Sequence, residues 1–269
     1  MNITPTFLKP PVAELVLGTQ FSPITKLTAG HFGLFWKELG PDWNDPSDGP
    51  IIEDEFETFD HQRWIGPKGV QIRIEPSRAP GRFLIGHQGK DRLIQMQATR
   101  FHLNWKKGDG FYPSYKKLIA EFEQTFEKFC TFIQANNLGK VILNQWEITY
   151  IDSFPKDEHW STPADWPKVL PGLFAPLWPT DDLGLALENR AAEWSYEIEA
   201  KRGRLHIAAQ VGRLGSSKND SLLLHMTARG PIEKGSTETL RQGLDLGHEA
   251  AVGFFLRIVD RKIQSQWGE

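Results

Sequence analysis

The stretch from Arg92 to Phe132 constrains the fold more than any other. Its first part alternates apolar and polar residues, and its second part recurs at helical spacing. One strand therefore delivers the chain into one long helix. Ile94, Met96 and Ala98 share one phase of the strand, and Phe101, Leu103 and Trp105 share the other. Side chains alternate along a strand, so a phase switch needs an inserted residue, and a bulge is expected near Thr99-Arg100. Pro113 suits the first turn of the helix. Tyr115, Leu118, Ile119, Phe122, Phe126, Phe129 and Ile133 then form one stripe. Asn136-Asn137-Leu138-Gly139 supplies the left-handed turn that ends it.

The flanking segments fall into two similar halves, 1–139 and 140–269. In the first, Val12 to Phe21 alternates as a strand, and Thr28 caps a helix through Leu39 that Gly40-Pro41 stops. Asp45 to Pro50 reads as a loop. Glu53, Asp54, Glu55 and Glu57 read as a solvated acidic face. Val70 to Glu75 and Phe83 to His87 are short strands. In the second half, Lys140 to Phe154 is a strand and Asp165 to Phe174 a short helix. Arg190 to Lys201 and Arg204 to Val211 form a hairpin. Leu222 to Arg229 is a strand, and Thr239 to Gln264 a final helix. Each half thus reads strand, helix, strands, long helix. The expected class is α+β, with largely antiparallel sheet backed by two long helices, either as one continuous domain or as two lobes.

Composition narrows the function classes. With 39% hydrophobic and 24% charged residues, the chain has the makings of a packed core. A net charge of -3 provides no general field for nucleic acid or a membrane, and neither is expected as a partner. The single cysteine, Cys130, has no internal disulfide partner, which points to a reducing cytoplasm. Met1 to Lys9 lacks the pattern of a secretory signal, and no run has the length of a membrane span. Phosphate-loop, dinucleotide and nucleophile-elbow patterns are absent, as is Cys/His metal spacing. No metal or other cofactor is expected, and no catalytic set is legible.

Several motifs carry a resemblance. Pro10-Pro11-Val12-x-Glu14 is followed by Phe21-x-Pro23, then Asn104-Trp105 and Tyr112-Pro113-x-Tyr115. The chain closes with Leu244-Asp245-x-x-His248-Glu249-Ala250, Phe255 and Trp267-Gly268. In this order they resemble a sporadically distributed, uncharacterised bacterial protein family. The resemblance implies an accessory role, such as one in defence or as an antitoxin-like regulator. It brings no catalytic residues with it.

Candidate ligand-binding residues sit on the polar phases of the strands. Arg100, His102 and Asn104 share one strand face, His206 lies on the hairpin, and His225 and Arg229 lie on the strand after it. Adjoining, they would form a basic surface for a small anionic ligand. The simpler reading is a wetted sheet face. Glu14 reads equally as the partner of one of the arginines or as a catalytic carboxylate, and His248, on the buried stripe of the last helix, is expected to bond to the sheet. Two functions follow. One is a non-enzymatic binding or regulatory protein for a protein partner or small anion. The other is an enzyme on a nucleotide or other phosphorylated substrate with histidine acid–base chemistry.

Overall fold

Strand β1 (Val12–Phe21) lies at the middle of the sheet, with both of its edges paired. A computed structural model of the chain describes residues 7–59, 81–108, 111–176, 183–215, 219–233 and 236–268. The elements that follow β1 are α1 (Ala29–Leu39), β2 (Trp43–Gly49), β3 (Arg82–His87), β4 (Arg92–Gln97), β5 (Arg100–Lys106) and α2 (Tyr115–Ala135). The second half runs β6 (Leu143–Pro155), α3 (Trp166–Val169), β7 (Ala191–Ile198), β8 (Gly203–Gly212), β9 (Ser221–Pro231), α4 (Thr237–Ile258) and α5 (Arg261–Ser265). The nine strands among the described residues join one antiparallel sheet in the order β2-β3-β4-β5-β1-β6-β9-β8-β7. The two halves meet at the β1–β6 pair, so they share one continuous sheet. The expected strand Val70 to Glu75 lies outside the described residues.

The helices cover one side of this sheet, with α2 on β5, α4 on β6, β9 and β8, and α1 on β3. Phe101 of β5 is the hub under α2. Its ring lies 5.4 Å from Phe126 and 5.1 Å from Phe129, and Phe129 also meets Phe21 and Phe35. Every member of the α2 stripe except Tyr115 is buried, as the spacing requires. Under α4 the sheet carries Trp146, enclosed by four glycines. A Cβ on Gly243 would lie 2.2 Å from the indole, and one on Gly203, Gly230 or Gly247 would lie 2.7 Å from it. The indole fills the space that four absent side chains leave, which lets α4 approach the sheet closely.

Four expectations are corrected. The phase switch at Ala98-Thr99 is a two-residue hairpin, not a bulge. β4 and β5 pair antiparallel with Ile94 opposite Leu103 and Met96 opposite Phe101, so both apolar sets face the helices. The turn lacks Gly, Asn, Asp and Pro, which normally mark reversals. Its carbonyls are instead taken by Phe21 N–H and Ile24 N–H from the chain leaving β1. The Asp45-to-Pro50 loop is largely strand β2, which pairs Pro46 opposite Ile85. β2 is an edge strand, where proline is tolerated. The final helix is broken at Val259, and the Asp260 carboxylate accepts N–H bonds from Lys262 and Ile263 to start α5. The short helix from Asp165 is only one turn, because Leu170 already leaves helical geometry. Trp160, Trp166 and Phe174 are buried and form part of the core.

Candidate functional site

The strand residues that do not face the helices line up in rows across the sheet. One row reads Gln97, Arg100, Gln20 and Gln145, on β4, β5, β1 and β6. The next reads Gln95, His102, Gly18, Glu147, Arg229 and Arg204, from β4 to β8. A third carries Asn104, Thr149, Thr227, His206 and Ser195. Of the sequence-derived candidates, Arg100, His102, Asn104, His206, His225 and Arg229 all lie on this one face.

Much of the face is not wetted. Arg100 and Asn104 are 3% exposed and His102 is 4% exposed. Residues 51–59 cross the face as a strap, engaging Arg100 at one end and Arg204, His206 and Arg229 at the other. For Glu55 and Glu57 this corrects the reading of the acidic run as a solvated face, while Glu53 and Asp54 are exposed as that reading has them. The Glu57 side chain is 1% exposed. Three glutamines hold the strap by its backbone. Gln97 Oε1 accepts from Ile52 N–H at 2.7 Å while Gln97 Nε2 donates to Ile52 O at 3.0 Å. Gln20 Nε2 and Gln145 Nε2 both donate to Glu55 O, at 2.9 and 2.6 Å. Gln145 Oε1 accepts from Glu57 N–H at 3.0 Å. The strap therefore runs across the strands, meeting β4 at Ile52 and β1 and β6 at Glu55.

Its carboxylates meet the cations of the face in order. Asp54 accepts from Thr99 Oγ1 at 2.8 Å and pairs with Arg100 Nε at 3.4 Å. Arg100 Nη2 donates to Glu53 O at 2.6 Å. Glu55 pairs with Arg229 Nη2 at 2.6 Å. Glu57 receives Arg229 Nε at 2.7 Å, bonds His206 Nε2 at 2.7 Å, and pairs with Arg204. Burial pushes the Glu57 carboxyl upward, but the bonds and charges of His206 and Arg229 outweigh it and hold it down at about 2. Arg204 also lies over the Phe59 ring at 5.0 Å.

Beneath the strap, Arg100, His102 and Arg229 converge on Glu147. Arg100 Nη1 and Arg229 Nη1 lie 3.7 Å from Glu147 Oε2, and His102 Nε2 lies 3.9 Å from Oε1. These separations exceed direct hydrogen bonds. Burial lowers His102 to about 4, against the opposing pull of Glu147, so the ring is neutral at pH 7. Gly18 separates His102 from Glu147 in the row and leaves room for the ring. Asn104 belongs to a separate chain in which Arg82 donates to Gln95, Gln95 to Asn104, and Asn104 to Glu14. Glu14 thus bonds an amide and not one of the arginines. His225 stands apart with a lowered pKa, driven by burial against the charge of Glu14. His248 bonds Tyr150 Oη through Nδ1 at 2.7 Å, the strand contact expected of it.

Sequence reasoning missed Glu147, Glu57, Glu55 and the three glutamines. Glu147 alternates with Trp146 and Ile148, so its phase marked it as a face residue. The acidic run and the basic strand phases have complementary charge, which is the signal that pairs them.

Chemically, the face can grip an extended backbone through amides and carboxylates through Arg100, Arg204, His206 and Arg229. Among the described residues, no group of three His, Cys, Asp or Glu side chains is arranged to hold a metal ion. Among them, too, no helix is long and apolar enough to cross a membrane. No protein-family model matches the chain, and no curated protein matches it.

Proposed function

We propose that this protein is a non-enzymatic binding protein whose polar sheet face recognises an acidic, extended segment of a partner protein. Residues 51–59 are its built-in occupant. The observation that carries the reading is the Glu57 carboxylate, 1% exposed and gripped by Arg204, His206 and Arg229. The glutamine contacts support it, because they engage backbone atoms that any extended segment presents. A partner segment would exchange with the strap, which makes the face a regulated site. A cytoplasmic setting in an accessory system, defence-associated or antitoxin-like, is the context that the motif resemblance and the lone Cys130 thiol support.

The test is calorimetric. A synthetic Pro50–Phe59 peptide is titrated into the wild-type chain and into a Glu55→Gln/Glu57→Gln variant. The variant is expected to bind the peptide in trans. The wild type binds it more weakly, because a tethered strap competes at an effective concentration of about a millimolar. Absence of binding to both proteins contradicts the reading. Binding of pyrophosphate or ATP to the variant, without the peptide, moves the assignment to a small anionic ligand.

One observation favours the enzymatic alternative. His206 lies between Ser195 Oγ at 3.0 Å and Glu57 Oε1 at 2.7 Å, a hydrogen-bonded relay of the kind that moves protons. Ser195 and His206 are also direct cross-strand partners, which accounts for their contact without catalysis. Glu57 is moreover committed to two arginines. Turnover of p-nitrophenyl phosphate that His206→Ala abolishes would establish the alternative.

A further inference from the structure

The helix-facing side of the sheet contains a second arrangement that the strap does not touch. A cavity of about 370 Å³ lies between the start of α2, β6 and α4. Its walls include Tyr112, Tyr115, Tyr150, His248, Phe255 and, on β6, Asp152. Two of the phenols and the imidazole are already engaged. Tyr115 Oη donates to Asp245 Oδ1 at 2.8 Å, and Tyr150 Oη bonds His248 Nδ1 at 2.7 Å. The Tyr115 and His248 rings stack at 3.8 Å.

Asp152 differs. It is 2% exposed, and its Oδ2 has no hydrogen-bond partner among the described residues. Lys116 lines the cavity but is exposed, and makes no ion pair with Asp152. A buried carboxyl oxygen without a donor costs free energy that a well-placed ligand donor recovers. The space is in the size range of small-molecule sites, roughly 300–1,000 Å³. A purely apolar guest would leave Oδ2 unpaired. The aromatic walls favour a cation, whose charge is attracted to ring faces.

We propose that this cavity binds a small organic ammonium ion with an apolar body, its nitrogen donating to Asp152 Oδ2 and its body packed between the tyrosines and Phe255. Burial lifts the Asp152 carboxyl to about 8, so the empty site holds a proton at neutral pH. Pairing with the ammonium releases that proton to solvent. The bound state is then an ammonium–carboxylate pair enclosed by aromatic rings.

Calorimetry on the full chain tests the assignment, using phenethylammonium and n-butylammonium chlorides as probes. The neutral isostere 2-phenylethanol and the anion 3-phenylpropionate serve as comparators. Phenethylammonium should bind about tenfold or more tightly than 2-phenylethanol, the advantage expected of a charge-assisted bond. Asp152→Asn should remove that advantage while leaving alcohol binding unchanged. Heats measured in buffers of different ionisation enthalpy should show proton release. Equal affinity for the amine and the alcohol overturns the proposal, as does an unchanged amine affinity in Asp152→Asn or no binding of any ammonium probe at millimolar concentration. Should Asp152→Asn fail to fold, the amine-to-alcohol ratio of the wild type decides alone.

Discussion

Gly18 and His102 face each other across the β1–β5 ladder, and a Cβ on Gly18 would lie 2.1 Å from His102 Cδ2. The absence of a side chain on β1 is what lets the imidazole lie across the strand toward Glu147. Gly18→Ala must push the ring aside or shift β1, at a cost of about 1–3 kcal/mol. The double variant Gly18→Ala/His102→Ala should cost less than the sum of the two single changes, since removing the ring restores the space. Urea unfolding of the four proteins measures this coupling. Additive costs would show that the two residues do not compete for the same volume.

Gly243 sets two effects against each other. Alanine in a helix interior is favoured over glycine by about 1 kcal/mol. At Gly243, however, the added Cβ would lie 2.2 Å from Trp146 Cδ1, in a buried indole slot that cannot give way. Overpacking of this kind costs about 1–3 kcal/mol, so Gly243→Ala should be net destabilising. At Gly253, where a Cβ meets nothing within 4 Å, the same change should stabilise. Thermal unfolding of the two variants should show shifts of opposite sign.

Two buried groups give stability a pH dependence from opposite sides. His102 falls from 6.5 to about 4 on folding, so below pH 6.5 the unfolded chain takes up protons that the folded chain refuses. Its contribution is complete above pH 6.5 and is lost as pH falls toward 4, amounting to about 3 kcal/mol. Asp152 rises from 3.8 to about 8, so the folded chain keeps a proton that the unfolded chain has released. Its effect is the reverse. Stability falls as pH climbs from 3.8 to 8, by about 5 kcal/mol. Asp152→Asn should therefore be close to neutral near pH 4 and stabilising above pH 8, and chemical denaturation across that range measures the difference. A constant difference would mean that Asp152 titrates alike in both states.

The sequence carried the helices and most strands because their burial follows a period. Val12 to Phe21 and the α2 stripe are legible on that ground alone. What it concealed was local structure imposed from a distance. The Ala98-Thr99 reversal carries no turn residues, because Phe21 and Ile24 supply its partners from another segment. β2 holds Pro46 in a strand because β3 provides the ladder beside it. Arg100, His102 and Asn104 were placed on the correct shared face by alternation. The same alternation suggested water above them, where the structure buries all three. An acidic run reads as solvated until the cations that bury it are located, and Arg204 and Arg229 lie 147 and 172 positions from Glu57.

The most direct measurement of the strap's role is hydrogen–deuterium exchange at the amides of Ile52 and Glu57, which donate to Gln97 and Gln145. In the wild-type chain alone both amides should be protected. With an excess of the Pro50–Phe59 peptide in trans they should exchange faster, while the strand amides of β1 and β6 remain unchanged. That result would identify the strap as a displaceable occupant of a binding face. Protection that persists in a large excess of peptide, with no peptide bound, would contradict the account and make residues 51–59 a permanent part of the core.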